Sequence, residues 1–217
     1  SILVGDTLYF SADDGSSGHE LWAHDTSNAS TWRVADIRSG VDSSSPGFYM
    51  EILVGDTIYF SAHDGSSGTE LWAHDTSNAS TWRVADINSG TGGSNPGQYM
   101  QILVGDTLYF SAKDGSSGHE LWAHDTSNAS TWRVADIDSG SGSSNPGNYM
   151  SILVGDTLYF SAFTGSSGHE LWAHDTSNTS TWRVADIRSG GSSSYPGQIM
   201  EILVGDTLYF SATDGSS

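Results

Sequence analysis

A period of 50 residues runs through the sequence without a single insertion or deletion. The segment ILVGDTLYFSA starts at positions 2, 102, 152 and 202, and returns at 52 as ILVGDTIYFSA; the segment ELWAHDTSN starts at 20, 70, 120 and 170. Repetition at a fixed period of this size is the sequence signature of repeat architectures. We therefore interpret the chain as a single repeat domain, 1–217, divided into units 1–50, 51–100, 101–150, 151–200 and a partial unit 201–217.

The sequence of each unit predicts four strands and no helix, because frequent Gly and Ser residues interrupt the chain and leave no 3.6-residue periodicity of apolar residues. In the second unit the predicted strands are Tyr49–Val54, Thr57–Ala62, Thr69–His74 and Trp82–Ile87. Between the first two, Gly55-Asp56 predicts a two-residue hairpin turn with positive φ at both central residues. Alternation places large or apolar groups on both faces of the strands, which indicates a sheet covered on both sides.

These features predict an all-β fold, a β-propeller of four-stranded antiparallel blades with about five blades, the last of them incomplete. A four-bladed ring with overlapping termini and an open segment of a longer repeat array are the alternatives. A β-solenoid is disfavoured, because its parallel pairing is incompatible with the Gly-Asp hairpin. The strand Thr207–Ala212 in the partial unit is expected to be an exposed edge, and such edges recruit partners.

The charge balance excludes several classes of partner. Acidic residues number 26 against 7 basic ones, which gives a formal net charge of -19. Phosphate binding needs clustered Lys and Arg, so nucleic acid and anionic membrane surfaces are not expected partners. No apolar run approaches the roughly 20 residues of a membrane span, so no membrane insertion is expected. Cysteine is absent, and no disulfide framework is possible.

The run GDTLYFSADDGSSGHELWAHDTSNASTWRVADIRSG, followed by SSSPG, resembles the ELWxxDGT repeat of secreted bacterial proteins. The resemblance extends over every unit and is most specific in YFSA, ELW and the DI-x-x-G ending. The sequence departs from the family wording where Asp25-Thr26-Ser27-Asn28 replaces Asp-Gly-Thr. The resemblance implies a propeller-like fold and an extracellular, secreted or cell-surface location.

The sequence does not predict an enzyme. Cys is absent, the Ser residues occur in Gly/Ser loops rather than in a nucleophile elbow, and every candidate residue recurs four or five times. Equivalent copies favour multivalent binding or a structural role. The recurrent His24 is expected to end a strand and bond to a neighbouring backbone group. Arg33 lies beside the strand that carries Glu20, and a Glu–Arg pair is expected, either across the strands of one blade or between blades.

Two Trp per unit are the strongest candidates for ligand contact or for packing. Trp22 is expected in the core between sheets, whereas Trp32 lies beside a polar loop and is expected to be exposed. Pyranose rings stack on aromatic faces, and the Asp that follows the same strand recurs in every full unit. The tentative ligand-binding residues are Trp32, Trp82, Trp132, Trp182, Asp36, Asp86, Asp136 and Asp186.

The loop after the third predicted strand carries two further candidate chemistries. Its first carboxylate could supply hard oxygen ligands to calcium, although Asp at a turn commonly caps its own backbone. The weak calcium candidates are Asp25, Asp75, Asp125 and Asp175, and no other cofactor is expected. The same loop holds four N-x-S/T sequons, at Asn28, Asn78, Asn128 and Asn178, in a position expected to be accessible.

Two functions are compatible with these residues. The first is a multivalent extracellular binding or adhesion module for glycans or other cell-surface material, with one equivalent site per repeat. The second is a structural scaffold or filament in which the repeats only build the assembly. In either case we expect self-association through the incomplete last blade, or continuation into further repeats.

Overall fold

The computed structural model describes residues 1–216, and within that stretch the chain contains antiparallel β-strands and no helix. No helix in the described part therefore has the length and apolar character needed to cross a membrane. Strands pair in chain order, giving four sheets of four strands and a last sheet of two. This is the predicted succession of four-stranded antiparallel blades, and the wholly antiparallel pairing removes the solenoid alternative.

The strands of each sheet are consecutive along the chain. The first sheet contains β1 (Ile2–Val4), β2 (Thr7–Asp13), β3 (His19–Asp25) and β4 (Ser30–Ala35). The second contains β5 (Glu51–Val54), β6 (Thr57–His63), β7 (Thr69–Asp75) and β8 (Ser80–Ala85). The third contains β9 (Gln101–Val104), β10 (Thr107–Ala112), β11 (Glu120–Asp125) and β12 (Ser130–Ala135). The fourth contains β13 (Ser151–Val154), β14 (Thr157–Thr164), β15 (Gly168–Asp175) and β16 (Ser180–Ala185), and the last contains β17 (Glu201–Val204) and β18 (Thr207–Phe210).

The predicted hairpin turn is present, but its geometry differs from the prediction. Val54 pairs with Thr57, so Gly55 and Asp56 are the two turn residues. Gly55 has a φ of 58°, whereas Asp56 is not among the residues with positive φ. Positive φ at the first central residue alone is the pattern of a type II′ turn, not the type I′ turn that was predicted.

The outer strand was predicted two residues too late. It begins at Ser80, which pairs with Asp75, and ends at Ala85. Its register shifts between Trp72–Arg83 and Leu71–Ala85, so one extra residue, Val84, forms a β-bulge. The chain then leaves the sheet, because the N–H of Ile87 donates to a side chain rather than to the ladder.

The chain divides into two compact units. Unit 1 comprises Ser1–Gln98 with Lys113–Gly115 and holds the first two sheets. Unit 2 comprises Tyr99–Ala112 with the residues from Ser116 onward and holds the other three. The single repeat domain spanning 1–217 stays a prediction.

The core of each unit forms where opposite faces of successive sheets meet. We call the face that carries Trp22 and His24, and its equivalents, face A, and the face that carries Leu21 and Ala23 face B. In unit 1, face B of the first sheet packs against face A of the second, where Ile58 and Phe60 are buried. In unit 2 the equivalent faces of the third and fourth sheets pack in the same way. Each buried Leu, Ile or Phe side chain contributes about 1.5–3 kcal/mol, so both faces of a sheet stabilise the fold, as the alternation predicted.

Candidate functional site

The two ends of every sheet differ in construction. The β1–β2 and β3–β4 turns and their equivalents lie at one end, which we call the turn end. The β2–β3 loop and the long link to the next sheet lie at the other, which we call the loop end. At the turn end, the N–H and hydroxyl of Thr26 donate to the Asp6 carbonyl at 2.8 and 2.9 Å, so the two turns of a sheet are joined.

At the turn end, Asp25 caps its own turn. Its carboxylate accepts hydrogen bonds from the N–H and hydroxyl of Ser27, at 2.8 and 2.6 Å, and from the Asn28 amide at 2.7 Å. These bonds, led by the one from the Ser27 hydroxyl, hold the pKa of Asp25 below its usual value, and the pKa values of Asp75, Asp125 and Asp175 are lowered in the same way. Within residues 1–216, no cluster of three or more His, Asp or Glu residues is placed to hold a metal ion.

The four sequons are exposed, as predicted. Asn28 donates its amide to Asp25, while its carbonyl oxygen accepts from the N–H and hydroxyl of Ser30 at 2.9 and 2.6 Å. Ala29 has a φ of 59°, so the sequon is held in a tight left-handed turn. Residues 26–30 are exposed to solvent. Glycosylation of these Asn residues stays a prediction.

The two Trp of each repeat differ in burial in the predicted sense. Trp22 and its equivalents are half-buried or buried on face A, with Trp122 only 9% exposed. Trp32, Trp82, Trp132 and Trp182 are 38–41% exposed. Trp32 pairs with Ala23, and the next pair on the same face is Asp25 with Ser30, so its indole has polar neighbours toward the turn end.

The indole N–H of the face A Trp has no hydrogen-bond partner, although the nitrogen is buried. This holds for Trp22, Trp72, Trp122 and Trp172. A buried donor without an acceptor costs about 1–3 kcal/mol. Trp at this position therefore stabilises the fold through the packing of its large flat ring, since its N–H makes no hydrogen bond.

The predicted pairing of Arg33 with Glu20 is wrong. Arg33 donates to the Ser17 hydroxyl and lies 3.5 Å from the Asp36 carboxylate. The corresponding Arg–Asp distances in the other repeats are 3.6–3.8 Å, for Asp86, Asp136 and Asp186. Arg33 pairs with Trp22 on face A, whereas Trp32 projects from face B. The structure therefore separates the two groups of candidate ligand residues, and it ties each Asp to an arginine.

Glu20 performs a role that the sequence did not reveal. Its side chain is fully buried, and its carboxylate accepts from the N–H of Ile37, the N–H of Ser44 and the hydroxyl of Ser44, at 2.7, 3.1 and 2.7 Å. The carboxylate thus fixes the start and the middle of the irregular link, residues 36–50, to the sheet. Burial raises the pKa of the equivalent Glu70 and Glu120, against the lowering effect of these hydrogen bonds.

His24 bonds to a side chain on the next strand, in addition to the backbone contact that the sequence predicts and that the equivalent His74 makes with Ser80. Its Nδ1 lies 2.7 Å from the hydroxyl of Thr31 on the next strand. In unit 1 the equivalent His74 is buried and packs on Tyr9 of the preceding sheet, with ring centroids 5.4 Å apart. Burial lowers the pKa of His74, so this imidazole is a neutral packing group.

A groove on face A of the fourth sheet lies beside Arg183, one of the four recurrent arginines Arg33, Arg83, Arg133 and Arg183, which we call the arginine row. It has a volume of about 520 Å³ and is lined by Ile137–Ser139, Thr164–Ser167, Trp172 and Arg183. Thr164 occupies the place of the Asp found in the other repeats and bonds to Ser167, with the oxygens 2.6 Å apart. Arg183 retains its ion pair with Asp186.

Comparison with known proteins supports the fold and leaves the activity open. No family model matches the chain, and no curated protein matches it. Among solved structures, it is similar to a puromycin hydrolase S511A mutant complexed with PGG, at 11% identity and a TM-score of 0.57 over 95% of this chain and 31% of that one. A second structure of puromycin hydrolase is 12% identical, with a TM-score of 0.56, over 96% of this chain and 32% of that one. TolB from Acinetobacter baumannii is 15% identical, with a TM-score of 0.48, over 97% of this chain and 50% of that one.

The chain is a β-propeller of tandem four-stranded blades, and residues 1–216 contain four full blades and the first two strands of a fifth. It spans about a third of the length of the hydrolase structures that it matches. At 11–12% identity that similarity is informative for the fold alone.

Proposed function

We propose that the protein is a multivalent extracellular binding or adhesion module that takes carbohydrate, with one equivalent site per repeat. The observation that carries this proposal is the recurrence of an indole with the same exposure, 38–41%, at Trp32, Trp82, Trp132 and Trp182. A large aromatic ring left partly in water in every repeat has surface available for a ligand. Pyranose rings stack on such faces, and the neighbouring Ser30 and Asp25 provide polar groups for hydroxyls.

Multivalency compensates for weak individual sites. A single exposed indole supports only a weak contact, but linked sites engage a polymeric ligand intramolecularly and raise avidity by about 10²–10⁴. The formal charge of -19 favours neutral over anionic glycans, since like charges repel. This ligand class also suits an extracellular or cell-surface location, which the ELWxxDGT resemblance implies. We propose no catalytic role and no required cofactor.

A structural scaffold is the second candidate, and the last sheet favours it. Ile202, Val204 and Tyr209 are 51%, 61% and 55% exposed, and β18 pairs only with β17 among the described strands. Exposed apolar side chains beside an unpaired strand edge promote association. Self-association through this sheet, with a second chain or with further repeats, is therefore part of the proposal.

A glycan array probed with the multimerised protein tests the carbohydrate site. We expect binding to neutral polysaccharides that falls stepwise as Trp32, Trp82, Trp132 and Trp182 are changed to Ala one after another. The matched control changes Asp36, Asp86, Asp136 and Asp186 to Asn. These residues follow the same strands and pair with arginines on face A, so the control should retain binding. Parallel wells with EDTA test whether calcium contributes. Absence of binding across a broad panel would overturn the proposal, and loss in the Asn variant alone would move the site to the arginine row.

A further inference from the structure

The residues that differ between repeats are concentrated at one end of the sheets. Numbered in the first repeat, thirteen of the 50 positions differ among the four full units: 1, 8, 13, 14, 19, 29, 38, 41, 42, 43, 45, 48 and 49. Only positions 8 and 29 lie away from the loop end: position 8 is the second residue of β2, and position 29 lies in the β3–β4 turn. The two differences there are small, Leu to Ile and Ala to Thr.

A cavity in unit 1 is lined wholly by such positions. It has a volume of about 250 Å³, and its lining residues are Arg38, Ser43, Ser45, Phe48, Tyr49, His63 and Thr69. All seven belong to the thirteen variable positions or their equivalents in the second repeat. Eleven of the thirteen variable positions lie at the loop end, and seven of the thirteen are represented in the lining of this cavity. The cavity therefore differs in its lining from the corresponding place in every other repeat.

The chemistry of the cavity is that of a protein-binding surface. Phe48 is 73% exposed and packs edge-to-face on Tyr49, with ring centroids 4.8 Å apart. Arg38 extends beside them and is held by Asp42 at 2.8 Å. Aromatic residues and Arg are the types enriched where protein partners bind, and hydroxyls such as those of Ser43 and Thr69 supply hydrogen bonds to a backbone.

The equivalent positions in unit 2 are occupied differently. Phe163 and Tyr149 both pack on His169, with ring centroids 5.2 and 4.9 Å from it. There the aromatic rings fill the space with one another. A ligand built of identical units, such as a polysaccharide, would be matched by the same residues in every repeat, as Trp32 and its equivalents are. A site whose residues differ from one repeat to the next instead suits a ligand without internal repetition, and a polypeptide is such a ligand.

We propose that the cavity lined by Arg38, Phe48, Tyr49 and His63 binds a polypeptide segment that places an apolar or aromatic side chain against Phe48 and Tyr49. The partner segment carries Lys or Arg next to that anchor, because the formal charge of -19 attracts a basic partner and accelerates its association. This site is separate from the Trp32 row, which projects from face B of β4, and does not depend on carbohydrate binding.

The test is a displayed library of random 12-residue peptides selected on the intact chain. The cavity variant combines Arg38→Asn, Phe48→Gln, His63→Lys and Thr69→His, all residues that other repeats already carry at these positions. The matched control combines Ile58→Leu and Ala79→Thr, the two variable positions away from the loop end. Thermal unfolding confirms that each variant is folded, and Phe48→Gln alone replaces the combined variant if that does not fold.

We expect the selected peptides to contain an apolar anchor residue flanked by Lys or Arg. They should bind the wild type and the control with equal affinity, and the cavity variant at least about tenfold more weakly. Failure to select any peptide, or equal binding to all three proteins, overturns the proposal. Loss of glycan-array binding in the cavity variant, without an effect on peptides, would instead assign the cavity to a carbohydrate.

Discussion

Replacing the buried Glu70 by Ala should detach the irregular link from its sheet. The Glu70 carboxylate accepts from the N–H of Ile87 at 2.8 Å, the N–H of Ser94 at 2.9 Å and the hydroxyl of Ser94 at 2.7 Å. Each buried donor left without an acceptor costs about 1–3 kcal/mol. Three donors would cost at most about 9 kcal/mol, and water entering the vacated space reduces this, so we expect a loss of about 3–5 kcal/mol.

Glu70→Gln is the matched control. In this variant the amide oxygen takes the place of Oε2 and still accepts hydrogen bonds from the Ile87 N–H and the Ser94 hydroxyl. The amide NH₂ takes the place of Oε1, and because it is a donor it cannot accept the hydrogen bond from the Ser94 N–H. The expected loss is about 1–2 kcal/mol. The pKa of Glu70 is raised by burial, so folding favours the protonated acid. The wild type should therefore lose stability relative to Glu70→Gln as pH rises above 4.5 and through the folded pKa, and regain it below 4.5.

Urea unfolding followed by Trp fluorescence measures both changes, and native-state hydrogen exchange locates them. In Glu70→Ala, the amides of Ile87 and Ser94 should lose protection before the strands of the same sheet do. A loss below about 1 kcal/mol for Glu70→Ala, or an equal loss for Gln and Ala, would refute the role assigned to this carboxylate.

Three further substitutions test the geometry of single positions. Gly68→Ala should cost about 2–4 kcal/mol in thermal unfolding, because φ is +73° and the added Cβ would lie 2.4 Å from the Gly93 nitrogen; Gly65→Ala, which meets only the flexible Arg38 side chain at 3.4 Å, should cost clearly less. Ala79→Gly should stabilise the fold by about 0.5–1 kcal/mol, because Ala79 has a φ of 58°; a destabilised variant would contradict the left-handed turn. Asp75→Asn should destabilise the chain at pH 7, and the difference should shrink as pH falls below 3.8 and through the lowered folded pKa of Asp75; a gap in urea unfolding that does not narrow at all between pH 7 and pH 2 would be inconsistent with this.

The elements that depend on local pattern were predictable from the sequence. Strict alternation in YFSA and ELWAH identified two strands and both covered faces, and the Gly-Asp pair identified the hairpin. The neighbourhood of Trp32 separated the exposed indole from the buried one at Trp22. These succeed because side-chain alternation and turn chemistry are properties of adjacent residues.

What failed depends on contacts distant in sequence. Glu20 and Ser44 are 24 residues apart, and nothing local indicates that a carboxylate in a strand will bond to a link beyond the next strand. One signal was present: Ser44, Ser94, Ser144 and Ser194 never change within a run that otherwise differs in every repeat. Arg33 was assigned to Glu20 because they lie on adjacent strands, but the buried carboxylate was already satisfied by backbone donors.

The near-identity of the blades has a consequence for how the chain reaches its native state. Because face B of any repeat presents almost the same side chains to face A of any other, the strands themselves carry little information about which repeat packs on which. A slip by 50 residues keeps nearly every apolar contact, so misassembled states compete closely with the native one. The correct pairing of repeats is therefore distinguished from a slipped one by a few loop residues. One is Asp138, whose carboxylate accepts a hydrogen bond from the N–H of Gly165 at 3.0 Å, and another is Arg38, whose side chain lies against Gly65. The order in which the blades pack is thus determined by residues at the loop end of the sheets.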